Sequence, residues 1–577
     1  MDASPIQTAR EFHRAGRATE AQRICRDILA ADPNHASALN LLGVMTAEAG
    51  DVDDAIRLIS KALEIQPGFA DGHNNLAALL KRMGRIDEAM ESYQRAVRLD
   101  PGQAEIHYNI GNILYSLSRY DPAVEAYRQA LRIRPNYADA HNNLGLVLAE
   151  QGELDAAIEE CRLALRIDPG NPHGYVNLLY ALYHHPDCGC EQLLAETRQW
   201  SRRIGRTAEF SPPEGGEPAR RLRVGYLSSL LNKSADAHFI VPLLANHERG
   251  TFEVFCFTCT PREDEITQRI HSLCEHWVDL RGLPPAQAAQ VIRERKIDLL
   301  ISIGPPADTC ATIAATRCAP VQMTWLTFSS CTSGLDSMDY RISDPYLDPT
   351  GKKETFFSEK TVQLPRTAWC YDPLIESPPV APLPAIASGF VTFGSLNRLS
   401  KINSRTILAW AEILLATPTS RLLILAPPGS HRQRVIDEFE TLKIKADRIE
   451  FVDRRPRTEY LQQYQRIDIS LDTFPFSGHT TALDSLWMGV PVVTLAGRTT
   501  VGRAACSALQ NLQMPQLITQ SQKEYVEIAV RLAGDIAALQ EMRSGLRGRM
   551  RESPLMDTAG FARDMQQVYR RVCGWEK

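Results

Sequence analysis

An α-helical repeat solenoid followed by two α/β units of the doubly wound kind is the architecture that this 577-residue sequence predicts. Three observations carry the prediction. A 34-residue recurrence runs through the first third, strand-like and helix-like runs alternate after Arg221, and a Pro/Ala-rich break separates two such alternations. The composition fits a folded chain of several domains, with 44% hydrophobic and 23% charged residues. Lys and Arg number 64 and Asp and Glu 69, a net charge of −5. That balance argues against a nucleic-acid-coating role. No apolar run approaches the roughly 20 residues a bilayer span needs, and the start, MDASPIQTAREFHRAGRATEAQR, has no signal-type apolar stretch. A cytoplasmic protein is therefore expected. The 13 Cys include the close pair Cys188 and Cys190 and are expected as free thiols.

The repeats come first along the chain. Pro33, Pro67, Pro101, Pro135 and Pro169 are each 34 apart, as are Gly43, Ala77, Gly111 and Gly145. The same step relates Ala21, Ala55, Ala89, Ala123 and Ala157, and again Ala62, Ala96, Ala130 and Ala164. Thirty-four is the tetratricopeptide period, a pair of helices per repeat. The small residues let the first helix approach the second, and Pro ends the second by lacking an N–H and clashing with the preceding turn. Four residues after each Ala of the second helix stands a bulkier one, Cys25, Ile59, Tyr93, Tyr127 or Cys161, on the same helix face.

A further register, Asn75, Asn109, Asn143 and Asn177, sits inside the first helices although Asn is a mediocre helix former. Two readings stay open. The amides bond to the neighbouring repeat, or they form a ladder that grips the backbone of an extended protein acceptor, since an amide both donates and accepts. The repeat solenoid is expected over residues 5–185, as a protein-binding surface.

After it, RLRVGYLSS (221–229), FEVFCFTCT (252–260), IDLLISIG (297–304) and VQMTWLTF (321–328) are buried-strand candidates, with PPAQAAQVIRERK (284–296) a helix among them. The linker ESPPVAPLPAIASG (376–389) leads to FVTFGSLN (390–397), RLLILAPP (421–428), IEFVD (449–453), ISLDTF (469–474) and VPVVTLAG (490–497). Two parallel sheets are implied, one over 219–375 and one over 390–577, with a ligand cleft at the carboxyl ends of the strands.

Two loops of the second unit carry the chemistry. In FGSLNRLSKI a strand runs into Asn397, Arg398 and Lys401. In LDTFPFSGHTTALDSLW a strand ends in a turn, and His479, Thr480 and Thr481 open a helix. A helix start with free N–H groups attracts an anion, and Thr there is expected as an N-cap, which is also its ordinary structural role. Asp484 falls one turn on, where it can accept from vicinal hydroxyls, and Lys401 brings a positive charge toward a diphosphate. No P-loop or GxGxxG motif lies in these loops, and no close Asp/Glu/His cluster demands a metal.

With RLRVGYLSS, CAPVQMTWL, TSGLDSMDYRISDPYLDP, SEKTVQLP, FGSLNRLSKI and GHTTALDSLWMGVPVVTLAG in view, the chain resembles the tetratricopeptide-containing O-linked N-acetylglucosamine transferases and their SPINDLY-type relatives, over about residues 20–570. The resemblance implies a GT-B glycosyltransferase fold of two Rossmann-like domains. It implies a metal-independent, inverting transfer of a sugar, N-acetylglucosamine from UDP-GlcNAc, to Ser or Thr of a protein acceptor, without a cofactor. It places Lys401 at the diphosphate, His479, Thr480 and Thr481 at the phosphates, Asp484 at the ribose and Arg457 near the nucleoside.

Three segments depart from the family pattern. The usual S-x-D-F-x-x-H after the first strand is Ser229-Leu230-Leu231-Asn232-Lys233-Ser234, with His238 four residues on. The GHT-type loop is Gly304-Pro305-Pro306, and the G-Y-P-G-T-S-G loop is residues 327–334. His238 is either a satisfied buried histidine or a cleft residue that contacts sugar or proton. The departures keep open another donor, such as a CMP-nonulosonic acid for a flagellin-type acceptor, and a decayed transferase serving as a protein-binding scaffold.

Overall fold

The computed structural model describes residues 4–204, 220–326, 332–349 and 356–575. Its first unit, up to Val147, is built of helical repeats. First helices at Ala36–Glu48, Ala70–Arg82 and Ala104–Ser116 start 34 residues apart, as do second helices at Ala18–Ala31, Val52–Ile65, Ile86–Leu99 and Tyr120–Ile133. The small-residue register does what packing requires. A Cβ on Gly43 would lie 2.7 Å from Ile59, and one on Gly111 would lie 2.6 Å from the Tyr127 ring. Ala55, Ile59, Ala89, Tyr93, Ala123 and Tyr127 are all buried.

The Asn register is turned onto the preceding repeat. Asn75 Nδ2 donates to Asn40 (3.1 Å), Asn109 Nδ2 to Asn74 (3.2 Å), and Asn143 Nδ2 to Asn112 (2.8 Å) and the Tyr108 hydroxyl (3.2 Å). An acceptor register at 40, 74 and 108 thus serves a donor register 35 residues later. Of the two readings, the bond to the neighbouring repeat is present: half-buried between adjacent helices, these amides find an acceptor one repeat back.

The second unit begins at Leu148. It carries helices Leu154–Ile167 and Pro172–His184, which continue the repeat period and include Asn177, then Cys190–Ile204, a helix beyond the expected end at 185. Among the described residues, thirteen strands follow in two sheets. The first holds β1 (Leu222–Ser228), β2 (Phe252–Thr258), β3 (His276–Asp279), β4 (Leu299–Ile303), β5 (Val321–Trp325), β6 (Tyr340–Ser343) and β7 (Lys360–Gln363), in the order β3-β2-β1-β4-β5-β6-β7. The second holds β8 (Thr392–Ser395), β9 (Arg421–Leu425), β10 (Ile449–Val452), β11 (Ile469–Leu471), β12 (Val492–Leu495) and β13 (Ile518–Thr519), in the order β10-β9-β8-β11-β12-β13.

All pairings are parallel, for example Val224↔Leu299 and Ile469↔Phe393. Each sheet therefore reverses its strand order once, between β1 and β4 and between β8 and β11, and in open sheets of this kind the carboxyl ends at such a reversal are where ligands bind. The strands are almost continuously apolar because helices cover both faces.

Helix Thr558–Val572 belongs by sequence to the second sheet's segment but packs against the first domain. The Tyr569 hydroxyl lies 3.1 Å from that of Tyr226 on β1, and Asp557 and Asp564 both accept from Arg366. Among the described residues no helix is long and apolar enough to cross a membrane.

Candidate functional site

At the reversal in the second sheet, β8 leads through Asn397 into a short 3-10 turn, Leu399–Lys401, and β11 leads through Asp472 into the turn before helix Thr480–Trp487. Asp472 builds that turn. Its carboxylate accepts from the N–H groups of Thr473 (2.9 Å) and Gly478 (2.6 Å) and from the hydroxyls of Ser477 (2.6 Å) and Thr494 (2.7 Å). Gly478 has no room for a side chain: a Cβ would lie 2.6 Å from the Thr481 hydroxyl and 3.2 Å from Asn397 Oδ1. Hence the helix start and the β8 loop touch. Thr481 Oγ1 donates to Asn397 Oδ1 (2.7 Å).

Lys401 joins the same place. Its Nζ donates to the Ser477 carbonyl (2.9 Å) and sits 4.2 Å from the centre of the Phe476 ring. Burial pushes its ammonium down to about 7, against the pull of the Asp472 carboxylate. Thr480 and Thr481 occupy the first two helical positions, and His479, not a Thr, stands at the N-cap without a side-chain cap bond. This corrects the expectation of Thr caps, because the Thr481 hydroxyl is drawn to Asn397 instead. Among the described residues no hydrogen bond closes on the N–H of Thr480 or Thr481.

The His479 ring lies flat on Phe239 (4.5 Å, 7°) and 4.1 Å from Trp369, both from the first domain. Burial holds its imidazole down to about 3, with Lys401 and His238 acting in the same sense, so it is neutral at physiological pH.

Asp484 and Arg457 meet as a closed pair. Both carboxylate oxygens take bonds from the guanidinium (2.5 and 2.6 Å), and the Tyr371 hydroxyl donates to the same carboxylate (2.6 Å). Burial opposes the Arg457 charge, but Asp484 holds its pKa above the ordinary value. Buried Arg457 Nε has no partner among the described residues. Arg398 is turned the other way, to Glu150 (3.2 Å), and not toward the helix start.

His238 stands in helix Ala237–Ala245, after β1. Its ring stacks on Tyr371 at 5.6 Å, and its Nδ1 is 2.6 Å from the Asp372 carbonyl. Burial, then the nearby Arg457 charge, lowers its pKa. The neutral ring therefore donates from Nδ1 and keeps its lone pair on Nε2. Ser234, in the position of the family histidine, donates to the Leu230 carbonyl (2.9 Å) and only closes its own loop.

One residue that sequence reasoning missed is Asp236, at the N-cap of the His238 helix. Its carboxylate makes no cap bond and no other bond among the described residues, and burial raises it to about 7. Asp264, Asp308, Asp535 and Asp557 all cap their helices, so its place before a helix start does not set Asp236 apart in the sequence. Residues 327–331 of the third departing loop lie outside the described residues. Its end is pinned where the Ser333 N–H and the Thr332 hydroxyl donate to buried Glu359.

This geometry has counterparts among known proteins. A family model described as glycosyl transferase family 41 matches residues 177–374 and 383–565. Tetratricopeptide models match residues 6–68, 58–91, 82–118, 111–152 and 138–171. A probable UDP-N-acetylglucosamine–peptide N-acetylglucosaminyltransferase SPINDLY of Petunia hybrida is 35% identical over 407 residues, covering 69% of this chain and 44% of that protein. Its namesake of Arabidopsis thaliana is 36% identical over 370 residues, 63% of this chain and 40% of that protein. The chain thus spans less than half the length of these relatives. A solved structure, an O-GlcNAc transferase mutant of Thermobaculum terrenum, superposes with a TM-score of 0.73 at 31% identity, covering 93% of this chain and 97% of that one.

Proposed function

Because the chain belongs to glycosyl transferase family 41, we propose that it transfers N-acetylglucosamine from UDP-GlcNAc to Ser or Thr of a protein acceptor recruited by the repeats. The observation that carries this reading is the convergence of Lys401 Nζ, the Thr481 hydroxyl and the open N–H groups of Thr480 and Thr481 on one crevice. That set suits a leaving diphosphate. The acceptor oxygen attacks the anomeric carbon from the face opposite the diphosphate, the carbon–oxygen bond to the diphosphate breaks, and the electron pair leaves on phosphate. Configuration inverts. The charge that builds on phosphate meets a cation and a helix start already in place, the arrangement that contributes most to such catalysis, so no metal ion is required.

The names of the relatives support this donor, and no feature of the site favours a CMP-sugar. Neutral His238 Nε2 and the Asp236 carboxylate are two groups on the first domain, among the described residues, able to take the acceptor proton. Asp236→Asn and His238→Ala separate them: loss of the acidic limb of the pH–rate profile in one variant identifies the base.

The reading itself is tested by thermal shift and by slow donor hydrolysis. UDP-GlcNAc at a hundredfold excess over Kd should stabilise the protein by about 2.7 kcal/mol, and hydrolysis should survive a chelator. Stabilisation by a CMP-sugar and not by UDP-GlcNAc would overturn the donor. Binding without hydrolysis or transfer would leave a scaffold.

A further inference from the structure

The last two repeats reach the phosphate loop through their own side chains, Glu150 at the end of helix Ala138–Glu150 and Tyr180 on helix Pro172–His184. Glu150, whose side chain is 4% exposed, accepts from Arg398 (3.2 Å), Arg454 (2.8 Å) and the Tyr180 hydroxyl (3.0 Å). Burial alone would neutralise it, but the two guanidiniums hold its carboxyl below the usual range. Having given its proton to Glu150, the Tyr180 oxygen accepts from the Ser400 hydroxyl at 3.0 Å. Ser400 is fully buried and immediately precedes Lys401 in the 3-10 turn.

A second contact arrives from the same helix. His184 donates from Nδ1 to the Tyr180 carbonyl (2.6 Å) and stacks on Phe476 (4.5 Å, 13°). Phe476 is the ring beside Lys401 Nζ, and it precedes Ser477, whose carbonyl takes the Lys401 proton donor. The ring beside the ammonium is thus held from helix Pro172–His184.

We infer that Glu150 and Tyr180 are positioning residues for Lys401, so that the last two repeats are a working part of the donor site and not only a recruiter of acceptors. This rests on the reading of the crevice as a nucleotide-sugar site. A buried carboxylate between two guanidiniums is a costly way to gain stability, but it fixes a loop at one distance from its anchor. Tyr180 transmits that distance to Ser400, one residue from the charge that meets the diphosphate.

The test uses the full chain, UDP as the probe, and two variants. Glu150→Gln keeps shape and removes the charge that holds Arg398 and Arg454. Tyr180→Phe removes only the hydroxyl between Glu150 and Ser400. We expect the UDP Kd to rise about tenfold for Glu150→Gln and about threefold for Tyr180→Phe. Donor KM should rise with acceptor KM unchanged, and amide exchange over residues 396–402 should quicken.

Asp155→Asn, which breaks only the pair with His185 between the same two repeats, should leave UDP binding at the wild-type value. If Glu150→Gln does not fold, Tyr180→Phe decides. Wild-type UDP affinity in a folded Tyr180→Phe overturns the inference alone, as does an equal loss in Asp155→Asn. Failure of the wild type to bind UDP overturns the proposed function and this inference with it.

Discussion

At the scale of single residues, Lys401 sets the most direct expectation. Its ammonium is pushed to about 7 by burial, while a bound diphosphate favours the charged form. UDP affinity should therefore fall as pH rises through about 7. Above that point complex formation should take up a proton, because the diphosphate draws the lysine back to its charged state. Titration calorimetry near pH 8.5, in two buffers of different ionisation enthalpy, measures the uptake. Lys401→Met should abolish it, and an absence of uptake in the wild type would remove Lys401 from the phosphates. In the empty protein the same group makes stability climb from about pH 7 toward the ~10.4 of unfolded lysine, since the unfolded chain then binds more protons.

Asn397, Lys401, His479, Thr480, Thr481 and Asp484 stand on strand ends and a helix start, which are local features and therefore legible in the sequence. What the side chains do there was not local. Asp484 is engaged by Arg457 and Tyr371, which are 27 and 113 residues away. Arg398 is turned to a repeat residue 248 positions earlier. No spacing rule reports such partners.

At the scale of elements, the repeats test their own regularity. The turn between first and second helix needs a left-handed residue, supplied by Gly16, Gly50, Gly84 and Gly152, but by Ser118 at φ 57° in the fourth place. Left-handed backbone costs a non-glycine residue roughly 1–2 kcal/mol, partly offset by glycine's greater entropy loss. Ser118→Gly should accordingly stabilise the repeats by about 0.5–1 kcal/mol. A lower denaturation midpoint would show that Ser118 makes a compensating bond. Asn109→Ala should act in the opposite sense, costing about 0.5–1.5 kcal/mol for the lost bond to Asn74. If stability holds while transfer to a protein acceptor falls, the ladder serves the acceptor and not the stacking.

The strands absent from the sequence reading fail for a physical reason. β3 is a half-exposed four-residue edge, His276–Asp279, and β13 has two residues. β6 and β7 are four-residue strands carrying Arg341 and Lys360, too short and too charged to stand out. The long central strands β1, β2, β4 and β9 were legible because burial on both faces demands unbroken apolar runs.

At the scale of the whole second unit, the two sheet domains share their covering. Arg366 from the segment after β7 is held by Asp557 and Asp564, and Phe561, Met565, Val568 and Tyr569 are buried. A fragment of residues 219–375 should consequently be insoluble alone and be rescued by co-expression with 390–577. Independent folding of the first fragment, seen as a cooperative unfolding transition, would contradict that view.

The position of helix Thr558–Val572 also orders events in time. During synthesis the first sheet is complete when Gln363 has emerged, yet the helix that covers β1 follows only after the whole second sheet. At ribosomal speeds of about 5–20 residues per second, the delay is roughly 10–40 s. Throughout it, the surface around Tyr226 and Phe252 that Tyr569 will cover is apolar and open to any neighbour. The nascent first domain therefore carries a late-covered apolar patch, closed only when its last helix arrives.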